Sequence, residues 1–260
     1  MVQSAISIER IGPVVRITFT REERFNTLAK VLVDELKEAL ETLAQDPEVR
    51  ALIVTGAGAK AFCAGADLQE RRGMDDAQVR QTVHGLQALT AQLASFPRPV
   101  VCAMNGVAFG GGLEIALACD LRLAASTAKM GLTETRLGII PGAGGTQRLP
   151  RLIGLGRARQ MIFTGARLDA QTALAWGLVE DVCAPEDLQA QALALAEEIA
   201  QGAPLALEQA KFAINQGINA DLSTGLAIER AAYDRLIPTQ DRLEALEAFA
   251  QKRPPNFHGR

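Results

Sequence analysis

Residues 99–125 read PVVCAMNGVAFGGGLEIALACDLRLAA. Pro99 opens a short apolar run that reads as a buried strand. Gly110, Gly111 and Gly112 then interrupt it, a helix follows them, and LRLAAS resumes the strand pattern. Strands alternating with helices in this way predict an α/β fold around a largely buried sheet. Working outward, ALIVT at 51–55 is a second apolar strand, followed by Gly56-Ala57-Gly58. Leu28, Leu32, Leu36, Leu40 and Leu43 recur at helical spacing and predict an amphipathic helix ending near Asp46-Pro47. Ile6, Ile8 and Ile11, then Val15, Ile17 and Phe19, alternate around Gly12-Pro13 as a β-hairpin. A polar helix is predicted over about 75–95. From Asp187 onward the texture changes: DLQAQALALAEEIA, PLALEQAKFAINQG, DLSTGLAIERAAYDRLI and DRLEALEAFAQK are four successive helical patterns with no strand between them. These patterns divide the chain into an α/β core, 1–200, and a C-terminal helical unit, 201–260.

The 260 residues are 48% hydrophobic and 22% charged, with a net charge of −3. That balance suits an ordinary globular protein and gives no general attraction to nucleic acid or acidic membranes. Cys63, Cys102, Cys119 and Cys183 form no C-x-x-C pair, so neither a zinc site nor a disulfide framework is expected. The start, MVQSAISIER, has no basic segment leading into an apolar one and does not read as a signal peptide. No apolar run approaches the ~20 residues of a membrane span. A soluble, cytoplasmic protein is expected.

Histidine chemistry has little to work with, because only His84, in a polar helix, and His258, two residues from the end, are present. No serine stands in a G-x-S-x-G elbow. Gly56-Ala57-Gly58-Ala59-Lys60-Ala61 fits a loose dinucleotide fingerprint, but AKAFCAGAD follows where a helix should open at once. Catalysis then falls to carboxylates and backbone. Ala64-Gly65-Ala66-Asp67 and Gly110-Gly111-Gly112-Leu113-Glu114 both place flexible backbone at a strand end. Either segment alone is as readily explained by tight packing. The second, however, opens a helix whose first N–H groups lack internal partners, and such groups suit a developing oxyanion. Glu114 lies in that first turn, and Glu134 follows 20 residues on in Met130-Gly131-Leu132-Thr133-Glu134, with PGAGGT behind it at 141–146. Two carboxylates sharing a pocket repel, so one tends to stay protonated while the other works as a base.

AFCAGADL (61–68), NGVAFGGGLEIALACDLRLAA (105–125) and MGLTETRLGIIPGAGGTQRLPRLIG (130–154), in this order and at this spacing, resemble the crotonase superfamily. The likeness extends to the C-terminal AFAQKRP. Within the superfamily the chain looks like the enoyl-CoA hydratases. FCAGADLQER and IPTQDRLEALEAF carry a further likeness to the branch of AU-binding methylglutaconyl-CoA hydratases. The resemblance implies a crotonase-like spiral of ββα turns followed by C-terminal helices that mediate trimers, commonly paired into hexamers. It implies that Ala66 and Gly111 donate backbone N–H groups to a thioester oxygen, that Glu114 activates water, and that Glu134 supplies a proton to C2. It assigns Ala64, Asp67, Leu68, Arg24, Phe249 and Lys252 to contacts with the CoA arm. The family's R-P-x-x-x-N-A-L is here Arg21-Glu22-Glu23-Arg24-Phe25-Asn26-Thr27-Leu28, with Glu22 and Thr27 as departures.

The implied reaction is addition of water to a 2-enoyl-CoA, in which CoA is part of the substrate and no metal or other cofactor takes part. Rivals on the same scaffold are double-bond isomerases, dehalogenases, decarboxylases and acyl-CoA hydrolases, which generally lack or replace one of the two glutamates. An RNA-binding role is the rival from another class. The helix at 28–45 sets Lys30 and Lys37 against Asp34, Glu35, Glu38 and Glu41, and a helix of that charge is a poor phosphate binder. Neither nucleic acid nor a membrane is an expected partner.

Overall fold

Ile6–Ile11 (β1) and Val14–Phe19 (β2) pair antiparallel as the expected hairpin in a computed structural model that describes residues 4–260. Residues 1–3, the first of the MVQSAISIER stretch read above as no signal peptide, lie outside the described residues. The leucine-spaced helix follows as Lys30–Ala44 (α1), burying Leu32, Leu36, Leu40 and Leu43 on one face. Ala51–Gly56 (β3) and the short Ala61–Cys63 (β4) lead into Leu68–Arg71 (α2) and Asp76–Ala94 (α3). The next turn is Val100–Met104 (β5), Val107–Phe109 (β6) and Gly111–Ala118 (α4). It is followed by Leu121–Ala125 (β7), Lys129–Gly131 (β8), Gly145–Ile153 (α5) and Leu155–Thr164 (α6). Leu168–Asp169 (β9), Ala170–Trp176 (α7) and Asp181–Cys183 (β10) close the core. Four helices complete the chain: Leu188–Ala200 (α8), Pro204–Gly217 (α9), Leu222–Asp234 (α10) and Gln240–Gln251 (α11).

Successive turns give one strand to each of two sheets. The larger sheet runs β1-β2-β3-β5-β7-β10, parallel from β2 onward, and the smaller runs β4-β6-β8-β9. This arrangement is the spiral that the resemblance implied. Side chains alternate across the larger sheet. Leu52, Val54, Val100, Cys102 and Met104 face the main core, shared with α1, α3 and α4. Ala51, Ile53, Val101, Ala103 and Leu123 face a second core. There α8 lays Leu188, Ala192, Ala196 and Ala200 on the sheet, and three alanines at fourfold spacing let helix and sheet approach closely.

The smaller sheet positions the chemistry. The ends of β4, β6 and β8 stand side by side, and the chain leaves them through Ala64–Asp67, Gly110 and Leu132–Glu134 respectively. Gly112 is what allows α4 to lie against β4: a Cβ there would stand 2.1 Å from the Cys63 carbonyl oxygen.

Candidate active site

Ala66 follows Gly65, whose φ of +95° turns the chain away from β4, and a Cβ on Gly65 would collide with the Phe109 carbonyl at 2.7 Å. This loop is pinned from the 21–28 segment. Leu28 donates its amide to the Gly65 carbonyl (2.8 Å), and Ala64 donates to that of Phe25 (3.0 Å). Buried Asn26 donates to the Ala57 and Ala61 carbonyls (3.1 and 2.8 Å). The motif with the two departures therefore acts here as a clamp on the loop, and neither Glu22 nor Thr27 disturbs it.

With the Gly65 carbonyl taken by Leu28, the Ala66 amide is left over, and among the described residues it donates to no acceptor. The same holds for Gly111, the first residue of α4, where no preceding turn exists to accept from it. A Cβ built on Gly111 would lie 3.9 Å from the Ala66 nitrogen, so the two free amides are neighbours. Both residues line one cavity of about 570 Å³, together with Glu114 and Glu134. Leu68, Val79, Val83, Leu86, Leu137, Ile139 and Ile140 make much of its remaining wall apolar.

The two carboxylates sit in different surroundings. Glu114 projects from the first turn of α4, and its Oε1 accepts the amides of Ala143 and Gly145, both at 2.7 Å. Those amides belong to the N-terminal end of α5, so a second helix end, besides that of α4 itself, favours a negative charge there. Burial raises the Glu114 pKa, while the two amides, then the charges of Arg148 and Arg71, pull against it. Arg148 is itself anchored on the Ala143 carbonyl (3.0 Å). Glu134 opens the turn of 3-10 helix Glu134–Leu137, and its Oε2 is buried with no hydrogen-bond partner among the described residues. Burial, followed by the negative charge of Glu114, pushes its pKa up to about 7. Burial thus raises both pKa values, but two amide donors oppose the rise at Glu114, whereas among the described residues no donor reaches the Oε2 of Glu134.

The remaining predicted positions divide. Ala64 and Leu68 line the cavity. Asp67 does not: its carboxylate caps α2 through the amides of Gln69 and Glu70 and accepts from Arg21 at 3.2 Å. Burial works against its charge, yet those donors hold its pKa below the ordinary value. Arg24 is exposed and bonded to Gln69 of α2, beside the cavity rather than in it. Phe249 and Lys252, at the end of α11, are exposed and do not line the cavity within one chain. Conversely, Arg71, Ala143 and Gly145 belong to the site and carry no sequence signal beyond the glycine-rich 141–146 stretch. Among the described residues no cluster of three His, Cys, Asp or Glu could hold a metal ion, and no helix is long and apolar enough to cross a membrane.

Known proteins match this chain over nearly its whole length. The family profile described as enoyl-CoA hydratase/isomerase matches residues 9–260. The Bacillus subtilis protein YngF, named after the same family, is 51% identical over 243 residues, 94% of each chain. Human mitochondrial methylglutaconyl-CoA hydratase is 48% identical over 238 residues, which are 90% of this chain and 70% of the human one. The crystal structure of an enoyl-CoA hydratase from Bacillus anthracis superposes with a TM-score of 0.97 at 49% identity, covering 98% of this chain and 100% of that one. The chain belongs to the enoyl-CoA hydratase/isomerase family, with the crotonase fold.

Proposed function

We propose that the protein is an enoyl-CoA hydratase, adding water in the syn sense across the double bond of a 2-enoyl-CoA. The observation that carries this reading is the pair of unlike carboxylates facing one cavity that also holds two free amides. The amides of Ala66 and Gly111 receive the thioester oxygen and stabilise the negative charge that grows on it. Each donor in such a pair is worth ~2.7–4 kcal/mol to the transition state. Glu114, ionised, takes a proton from water as its oxygen attacks C3. Glu134, protonated, delivers a proton to C2. These residues complete the reaction, and CoA enters only as part of the substrate. An isomerase needs one group to shuttle a proton between carbons. Two carboxylates on one cavity, one bound by two amide donors and one with an unpartnered oxygen, suit a base and an acid acting together, as hydration requires.

Ala64 and Leu68, which line the cavity, and Arg24, bonded to Gln69 beside it, are assigned to the CoA arm. The apolar side chains of Phe212 and Ile214 on α9, of Ile218 just after it, and of Leu222 and Leu226 on α10 stand in solvent in a single chain, which supports assembly as a trimer or a dimer of trimers. Such packing gives Phe249 and Lys252 a route to a CoA arm. Buried, unpaired Cys63, Cys102 and Cys119 suit a reducing compartment such as the cytoplasm. The test is loss of enoyl absorbance from crotonyl-CoA and longer or branched 2-enoyl-CoAs. Wild-type protein should hydrate at least one of them, and Glu114→Gln should do so at least a hundredfold more slowly. A Glu114→Gln variant with most of its activity left would overturn the reading.

A further inference from the structure

Gln87 and Thr90 stand one turn apart on α3 and reach consecutive carbonyls of the loop that leads into α5. The Gln87 Nε2 donates to the Gly142 carbonyl, and the Thr90 hydroxyl donates to the Ala143 carbonyl, both at 2.8 Å. Thr90 is the less expected of the two. It lies on the buried face of α3 among Leu86, Leu89 and Leu93, with 1% of its surface exposed. A hydroxyl so placed needs an acceptor. Among the described residues it reaches the Ala143 carbonyl and, at 3.1 Å, the Gln87 carbonyl of its own helix. Arg148 of α5 grips the same point from the other side, with Nη1 on the Ala143 carbonyl (3.0 Å) and Nη2 on that of Thr90 (3.3 Å).

What this brace holds is the donor pair of Glu114. The peptide between Gly142 and Ala143 accepts from Gln87 at its carbonyl and donates its N–H to the Glu114 Oε1 (2.7 Å). Side chain, peptide and carboxylate thus form one chain in which each hydrogen bond polarises the next. Thr90 fixes the carbonyl of Ala143 itself, and two residues on Gly145 supplies the second N–H (2.7 Å). Hydrogen bonds weaken steeply when their angle is lost, so the carboxylate depends on where this loop sits. The charged groups that bear on Glu114 are Arg148 of α5, Arg71 of α2 and Glu134 of the 3-10 turn, and α3 acts on it through the loop backbone instead. We infer that Thr90 and Gln87 are positioning residues, through which α3 holds the 142–145 loop so that its two amides bind the carboxylate of the water-activating glutamate. This inference rests on the reading of Glu114 as the base.

The test compares Thr90→Val, which has the shape of threonine without the hydroxyl, with Thr90→Ser, which keeps the hydroxyl. Protein labelled with ¹³C at the glutamate carboxyl is titrated by NMR, the Glu114 signal being the one missing from Glu114→Gln. The two amides favour the ionised carboxylate, so loosening them raises its pKa. In Thr90→Val, Glu114 should titrate about 0.3–1 pH unit above wild type, the value of one neutral hydrogen bond, and in Thr90→Ser close to wild type. The acid limb of kcat/KM for hydration should move with it, while the limb near pH 7 set by Glu134 stays in place. A merely structural role would lower stability and leave both titrations unmoved. An unshifted Glu114 in Thr90→Val, or an equal shift in Thr90→Ser, overturns the assignment. Should Thr90→Val fail to fold, Gln87→Leu at the exposed end of the brace decides, since an unchanged Glu114 titration there refutes it as well. The expected shift without hydration of any enoyl-CoA would leave the brace in its role and refute the hydratase reading alone.

Discussion

Glu134→Gln should make the protein more stable and less active, and the size of the first effect follows from the site. The Glu134 carboxyl has its pKa raised from 4.5 to about 7, chiefly by burial. The folded chain thus holds this proton more tightly than the unfolded chain. The stability it contributes is fully present below pH ~4.5 and is lost as pH rises through 7. Each pKa unit is worth about 1.4 kcal/mol, so the loss approaches about 3.5 kcal/mol at high pH, of which about 2.5 kcal/mol falls between pH 5 and pH 8. A glutamine cannot ionise and escapes it. Urea unfolding of both proteins at pH 5 and pH 8, at one fixed protein concentration, should show the variant gaining about 2.5 kcal/mol on the wild type across that interval. Removal of the general acid should meanwhile lower hydration by about 10²–10⁴-fold. A stability difference that stays constant with pH would refute the argument that Glu134 is an ionisable group kept neutral by its surroundings.

The same protonation states set the pH–rate profile. The kcat/KM for hydration should fall as pH rises through about 7, where Glu134 loses its proton, and Glu134→Gln should abolish that limb; a wild-type limb at another pH would assign the acid to another group. Gly111→Pro removes one of the two free amides at a position, the first of α4, where proline is compatible with a helix start. Turnover should drop by about 10²–10³-fold with the circular dichroism spectrum retained, and an active variant would exclude this amide from the oxyanion site. Light scattering at micromolar concentration should give the mass of a trimer or hexamer, and a monomer would leave the apolar faces of α9 and α10 without an explanation.

The larger sheet and the long helices were legible because their patterns repeat: leucines every three or four residues in α1, and apolar runs in β3 and β5. The smaller sheet was not, since β4, β6, β8 and β9 are two or three residues long and carry no periodicity of their own. Glu114 and Glu134 stood out through the glycines around them and the family resemblance. What separates their roles did not. The donors to Glu114 come from Ala143 and Gly145, about 30 residues downstream, and only the folded loop shows that they converge on it. Asp67 illustrates the reverse case, a residue in the right loop whose carboxylate is spent on a helix cap. Arg71 carries no signal of its own in QERRGMDD, and only the fold brings it to the cavity wall.

The two free amides and the two glutamates should add water rather than move a double bond. Isotope incorporation tests it most directly. Wild-type protein is incubated with a 2-enoyl-CoA that it consumes, in ¹⁸O-labelled water and separately in D₂O, and the recovered thioester is analysed by mass spectrometry and NMR. A hydratase gives a 3-hydroxyacyl-CoA with one ¹⁸O on C3 and one deuterium on C2, delivered to the same face. Deuterium entering the acyl chain with no oxygen at C3 would mark an isomerase and contradict it.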